Sequence, residues 1–171
     1  MGSTAAARLF LETTCGADSA LDSFDATALR GLLVLSAEPG RLVASLPLDS
    51  SRANAYGTAH GGLIATAVDV VSSAALHTIR TASGVSVSLG VDYLAAVPVL
   101  AAAGGGSQPQ PTLIFDARVV KAGRSLAVLT VDVLRGADGA LVAKGRHTKF
   151  VAAEDARRGG VAAGAAARPR L

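Results

Sequence analysis

From Leu63 to Ile79 the chain carries apolar residues around the whole circumference of a helical projection, with no Gly or Pro to interrupt them. A helix that is apolar on every side is a buried helix. Before it, Leu32–Ala37 and Arg41–Leu48 are apolar-rich runs separated by Glu38-Pro39-Gly40, which predicts a hairpin. After it, Val85–Tyr93 alternates between apolar and small polar residues, the pattern of a half-buried strand. Three further strands follow, Leu113–Val120, Leu126–Leu134 and Leu141–Val151, with turns at Ala122-Gly123 and Ala137-Asp138-Gly139. A short helix is expected over Asp22–Arg30, stopped by Gly31. A hairpin, one long helix and four strands make an α+β layout, an antiparallel sheet curved around a single buried helix.

The 171 residues suit one domain with a substantial core. Residues 1–23 are mixed in character and are set apart as an N-terminal extension, 24–151 as the folded domain, and 152–171, rich in Ala, Gly and Arg without periodicity, as a disordered tail. Residues 101–111 read as a low-complexity surface loop. No apolar run reaches the roughly 20 residues of a membrane-spanning helix, and no signal-peptide core follows Arg8. Ala6 stands where myristoylation prefers Ser or Thr. Cys15 is the sole cysteine, which excludes an internal disulfide and a cysteine zinc site and fits a reducing, intracellular compartment. Residues 1–150 hold 12 basic and 11 acidic groups, so the folded part is near neutral and the net charge of +3 comes mostly from the tail. Without a basic stripe and interleaved aromatics, nucleic-acid binding has no support.

Chemistry concentrates at the entry to the long helix and inside it. Asn54-Ala-Tyr-Gly-Thr-Ala-His60-Gly61-Gly62 leads into the apolar run, and Asp69 interrupts that run with one acid. Burying an unpaired carboxylate costs several kcal/mol or more, so Asp69 is either satisfied by hydroxyls such as Thr66, Ser72 or Ser73, or works as a general base. At the N-terminus, Gly61 and Gly62 leave the first N–H groups open to a close ligand, at the positive end of the helix dipole. Such an end binds a phosphate or polarises a carbonyl during acyl transfer, while the plain alternative is a tight strand-to-helix turn with His60 as its cap. Asp69 lies eight residues past Gly61, roughly 12 Å along the axis. If both act on one carbonyl, one of them comes from a second copy, which predicts a two-fold dimer with composite sites.

On these residues the chain resembles the hotdog-fold acyl-CoA thioesterases, in the branch of thioesterase superfamily member 2 and the phenylacetate-pathway thioesterases. The likeness runs from about Leu29 to Val151. It is carried by the Asn54 to Gly62 block with Asp69, by Gly84-Val85-Ser86-Val87, by Lys121-Ala-Gly123-Arg124-Ser125-Leu126, and by Gly145-Arg146-His147-Thr148-Lys149. The resemblance implies a hotdog fold that hydrolyses fatty or aryl acyl-CoA without metal or cofactor. Asp69 would be base or nucleophile, Ser86 would help it orient water, the Gly61 amide would polarise the carbonyl, and Asn54 and His60 would line the site. Asn54 and Gly61 would face Asp69 and Ser86 of a neighbouring subunit in a dimer, paired again into a tetramer. Contacts to substrate and CoA would fall to Gly62, Tyr93, Lys121, Gly123, Arg124, Ser125, Leu126 and Phe150. Where such relatives carry a Pro-Ala-basic segment after the strand ending at Tyr93, this chain has Leu94-Ala-Ala-Val-Pro98 and then the Gly/Gln/Pro insertion.

Two other readings keep the fold and change the function: a non-catalytic acyl-CoA binding module, and an acyl-thioester hydratase or dehydratase. The latter wants a His/acid pair beside the thioester, which His60 and Asp69 do not supply within one helix. His77 and His147 read as structural. The terminal Pro-Arg-Leu171 is similar to peroxisomal Ser-Lys-Leu addresses, so the expected location is cytoplasm or peroxisome.

Overall fold

A computed structural model describes residues 2–81, 84–99 and 110–151. Six antiparallel strands form one sheet: β1 (Leu33–Glu38), β2 (Arg41–Pro47), β3 (Val85–Tyr93), β4 (Thr112–Ala122), β5 (Leu126–Arg135) and β6 (Leu141–Phe150), in the order β1-β2-β4-β5-β6-β3. The hairpins form where turn chemistry foretells them, with Gly40 and Gly139 at positive φ. The chain leaves the β1-β2 hairpin, crosses as the long helix α3 (Gly61–His77), and returns to the far edge as β3.

The helix lies on the sheet through Leu63, Ile64, Ala67, Val68, Val70, Val71, Ala74 and Ala75, all in the main core. Its approach to β6 is close: a Cβ on Gly145 would fall 2.4 Å from a Val68 methyl. Glycine is therefore what lets the helix seat at that row.

The sequence did not announce α1 (Thr4–Cys15), which buries Ala7, Leu11 and Cys15 completely in the same core. Ser3 caps its N-terminus through the Ala6 N–H. The segment set apart as an extension thus packs beside α3, and the sheet does not enclose a single helix alone. The short helix is α2 (Phe24–Ala28), narrower than expected and capped by Ser23. The tail expected to be disordered, 152–171, and most of the 101–111 loop lie outside the described residues.

Two features of β3 differ from the half-buried alternation. First, almost the whole strand is exposed, including Val85, Val87 and Leu89, because β3 is a sheet edge with β6 as its one neighbour. Second, a bulge at Val87 shifts the register, so that Ser86 sits opposite Lys149 and Leu89 opposite His147. Strict alternation would put Ser86 on the face opposite Leu89, Val91 and Tyr93. The extra residue turns Ser86 to the helix side with them.

Gly145→Ala is expected to lower stability by about 1–3 kcal/mol, read by denaturant or thermal unfolding, because Val68 is β-branched and has little rotamer freedom in a helix. Adding Val68→Ala should return part of the loss, and a strictly additive double mutant would contradict this packing.

Candidate active site

The entry loop is built before the helix begins. The Arg52 guanidinium donates to the carbonyls of Ala28, Pro47 and Arg30, tying the 3₁₀ turn Ser50–Arg52 to α2 and to the end of β2. The Arg52 carbonyl in turn accepts the His60 N–H at 2.9 Å. Asn54 closes the turn between them: its Oδ1 accepts from Tyr56 N (2.9 Å) and Thr58 N (3.2 Å), and its Nδ2 donates to Thr58 Oγ1 at 2.9 Å. One Asn54 amide hydrogen is left to offer outward.

At the helix start, His60 Nδ1 accepts the Gly62 N–H at 2.9 Å, so the imidazole caps α3 as the plain reading held. The cap takes Gly62 and leaves Gly61 N–H without a partner among the described residues. The Tyr93 hydroxyl donates to the Gly61 carbonyl at 2.7 Å, and its ring lies in van der Waals reach of a Cβ placed on Gly61. Burial raises the Tyr93 phenol above its ordinary value, which keeps it a donor. Asn54, Thr58, Gly61, Ile64, Tyr93 and Val97 line a cleft of about 350 Å³ with mixed polar and apolar walls. Asp69 and Ser86 do not line it.

The second cluster lies midway along α3. The Asp69 side chain is 40% exposed, which corrects the expectation of a buried carboxylate. In the single chain, Gly62, Ala65, Thr66, Asp69, Ser73 and His77 form an incompletely covered stripe at helical spacing. One Asp69 oxygen, Oδ1, faces four donors: Ser73 Oγ (3.4 Å), Ser86 Oγ (3.4 Å), His147 Nε2 (3.6 Å) and Lys149 Nζ (3.7 Å). Oδ2 accepts no hydrogen bond among the described residues. Ser73 donates to the Asp69 backbone carbonyl, which also lies 3.1 Å from Ser72 Oγ, and Thr66 donates to that of Gly62.

His147 and Lys149, inward neighbours on β6, are the residues the sequence reading left out of the chemistry. His147 is fully buried, with Nδ1 2.7 Å from Ser72 Oγ and Nε2 2.9 Å from Ser86 Oγ. Burial, then the nearby Lys149 charge, push its pKa down to about 4, so the ring is neutral at pH 7 and carries one N–H. The Asp69 carboxylate 3.6 Å from Nε2 favours the proton there. Ser72 then donates to Nδ1, His147 to Ser86, and Ser86 toward Asp69. The sequence signal was present but indirect: residues 145, 147, 149 and 151 share the helix-facing side of β6 with apolar neighbours, so polar groups there need partners.

The remaining candidates, Lys121, Gly123, Arg124, Ser125 and Leu126, form the β4-β5 turn, with Phe150 paired to Leu126. Lys121 and Arg124 are exposed and form no ion pair with the described residues. Phe150 also pairs with Val85, one row from Ser86 and Lys149, so this turn adjoins the Asp69 cluster. Tyr93 lies at the other end of β3, eight residues away, roughly 27 Å at strand rise. Within one chain the expected residues therefore form two separated groups.

No described helix is long and apolar enough to cross a membrane. The described residues contain no group of three or more His, Cys, Asp or Glu side chains placed to hold a metal ion.

A low folded pKa means that unfolded His147 binds a proton between about pH 6.5 and pH 4 while the folded form does not. Its neutral burial thus costs nothing above that window and destabilises progressively as pH falls through it. The stability difference between wild type and His147→Gln should shift in favour of the variant as pH drops across that window, measured by urea unfolding; a pH-independent difference would contradict it.

Comparisons with known proteins agree with this architecture. The thioesterase superfamily model matches residues 56–100. Human acyl-coenzyme A thioesterase 13 is 37% identical over 121 residues, covering 70% of this chain and 79% of the human one. The zebrafish thioesterase superfamily member 2 structure superposes with a TM-score of 0.73 at 34% identity, over 87% of this chain and 98% of that one. A hypothetical thioesterase from Streptococcus pneumoniae, solved with coenzyme A, gives a TM-score of 0.61 at 25% identity, over 71% and 89%. By fold, by identity and by coverage, the chain belongs to the thioesterase superfamily and is a hotdog-fold thioester hydrolase.

Proposed function

We propose that the protein hydrolyses acyl-CoA thioesters of fatty or aryl acids in a site shared by two copies of the chain. The observation that carries this reading is the division of labour along α3. A Gly61 N–H without a partner among the described residues and a carboxylate at Asp69 stand eight residues apart on one continuous helix, roughly 12 Å, while each must come within about 3 Å of the atoms it serves. The exposed edge of β3 and the open stripe of α3 offer a second copy its place. The names of the relatives, acyl-coenzyme A thioesterases and a thioesterase solved with coenzyme A, supply the substrate class.

In the shared site the thioester carbonyl accepts from the Gly61 N–H and the free Asn54 amide hydrogen of one copy. Its acyl chain lies in the cleft by Ile64 and Val97. Water held between Ser86 and the open Asp69 oxygen of the other copy attacks the carbonyl carbon and gives its proton to the carboxylate. The carbon–sulfur bond then breaks, the carbonyl re-forms, and the proton passes to the CoA thiolate, leaving free acid and CoA. The exposed turn with Lys121 and Arg124, beside the Asp69 cluster, meets the phosphates. Exposed apolar residues on the outer sheet face, Val85, Leu126, Val128 and Phe150, would carry a further pairing into a tetramer. The peroxisomal reading of Pro-Arg-Leu171 concerns residues outside the described ones.

Asp69→Asn should reduce free-thiol release from a panel of acyl-CoAs by about a hundredfold or more with the oligomer intact; binding of acyl-CoA by wild type without thiol release would favour the binding module instead. Composite sites make a second expectation. Equal co-expression of Asp69→Asn and Asn54→Ala should recover about a quarter of wild-type activity, since half the dimers are mixed and each mixed dimer has one intact site. No recovery would place both residues in the same copy's site.

A further inference from the structure

The hydroxyl–imidazole chain through His147 accounts for one approach to Asp69; a buried cation accounts for the other. Lys149 is 5% exposed, and its ammonium donates to Ser73 Oγ at 2.8 Å while lying 3.7 Å from Asp69 Oδ1. Ser73 accepts that bond and directs its own hydroxyl at Asp69, 2.7 Å from the backbone carbonyl and 3.4 Å from Oδ1. A lysine at a strand position facing a helix is costly to bury unless its charge is answered. The elements packed around it answer as follows: α3 presents Asp69 and His77, β6 presents His147, β3 brings Ser86 at the paired position, and β5 brings Ala127. Asp69 is the only anion in that set.

Resting on the thioesterase reading above, we propose that Lys149 is a positioning residue for Asp69. Its ammonium, bridged by Ser73, holds Oδ1 against the sheet and so presents Oδ2 to the attacking water. The asymmetry of the carboxylate is the basis: Oδ1 faces Ser73, Ser86, His147 and Lys149, and Oδ2 accepts no hydrogen bond from the described residues. Without the cation, the aspartate loses the one charged tether found among the described residues and is free to turn about its side-chain torsions. Burial also lowers the Lys149 pKa below its ordinary 10.5, so the tether releases at a lower pH than a surface lysine would.

The test compares wild type with Lys149→Met, Lys149→Arg and Ser73→Ala in the full chain. Two readouts are used: kcat and KM for an acyl-CoA against pH, and the NMR resonance of the Asp69 side-chain carboxyl carbon in isotope-labelled protein. Lys149→Met should lower kcat about tenfold or more while KM stays within about twofold, the signature of lost alignment in the transition state. Lys149→Arg should restore most of kcat and remove the alkaline decline of wild type, because a guanidinium does not lose its proton in that range. The Asp69 carboxyl resonance should show an alkaline step in wild type that is absent from both Lys149 variants. A folded Lys149→Met with wild-type kcat, or an Asp69 resonance in wild type indifferent to the titration of Lys149, overturns the proposal. Should Lys149→Met fail to fold, Ser73→Ala decides: it removes the bridge and leaves the amine, so kcat should fall severalfold, and unchanged kcat overturns the role. If wild type releases no thiol from any acyl-CoA, the thioesterase reading fails while the carboxyl titration still reports the coupling.

Discussion

One carboxylate set into an otherwise apolar helix has to be stabilised by its surroundings, and much of this fold's local irregularity does that. Asp69 lies on the partly open stripe of α3, and donors come to its Oδ1 from β3 and β6. The bulge at Val87 turns Ser86 inward, and the register of β6 puts His147 and Lys149 at adjacent helix-facing positions. The neutral state of His147 follows from its burial and from the lysine beside it. An ordered polar cluster of this kind is costly unless complete, which explains why so many side chains of different elements converge on one oxygen.

The helix that carries the acid also fixes the geometry of everything else. A straight 17-residue helix keeps its N-terminus and its middle at a constant separation, so the amide at Gly61 and the carboxylate at Asp69 behave as two fixed points. Arg52 and Asn54 hold the entry loop so that His60 caps Gly62 and leaves Gly61 open. Both points border surface that the single chain leaves uncovered, along α3 and along the edge strand β3. Rigidity within the chain and openness along these two surfaces belong to one design; in the proposed shared site, alignment is set when two copies meet.

Much of this was legible in the residues. The uninterrupted apolar run gave α3, the Pro-Gly and Asp-Gly turns gave the hairpins, and Gly61 with Asp69 stood out because glycine and acid break an otherwise uniform pattern. The helix α1 was not legible, because apolar Ala5, Ala6 and Leu9 off the buried face blur the spacing of Ala7, Leu11 and Cys15. Ser86 was assigned on resemblance, while its orientation depends on a bulge that alternation conceals. In sequence His147 reads as structural and Lys149 is given no role, since the strand around them, Lys144-Gly-Arg-His-Thr-Lys149, is polar on both faces. Tertiary contact with Asp69 is what gives them meaning, and local pattern carries no record of it.

The most direct measurement is a structure of the assembled protein holding an unreactive acyl-CoA analogue whose sulfur is replaced so that it cannot be cleaved. The expected result places the analogue's carbonyl oxygen within about 3 Å of Gly61 N of one copy, with Asp69 of the other copy on the opposite side of the carbonyl carbon. A carbonyl that meets Gly61 while every Asp69 in the assembly faces a different cavity would contradict it.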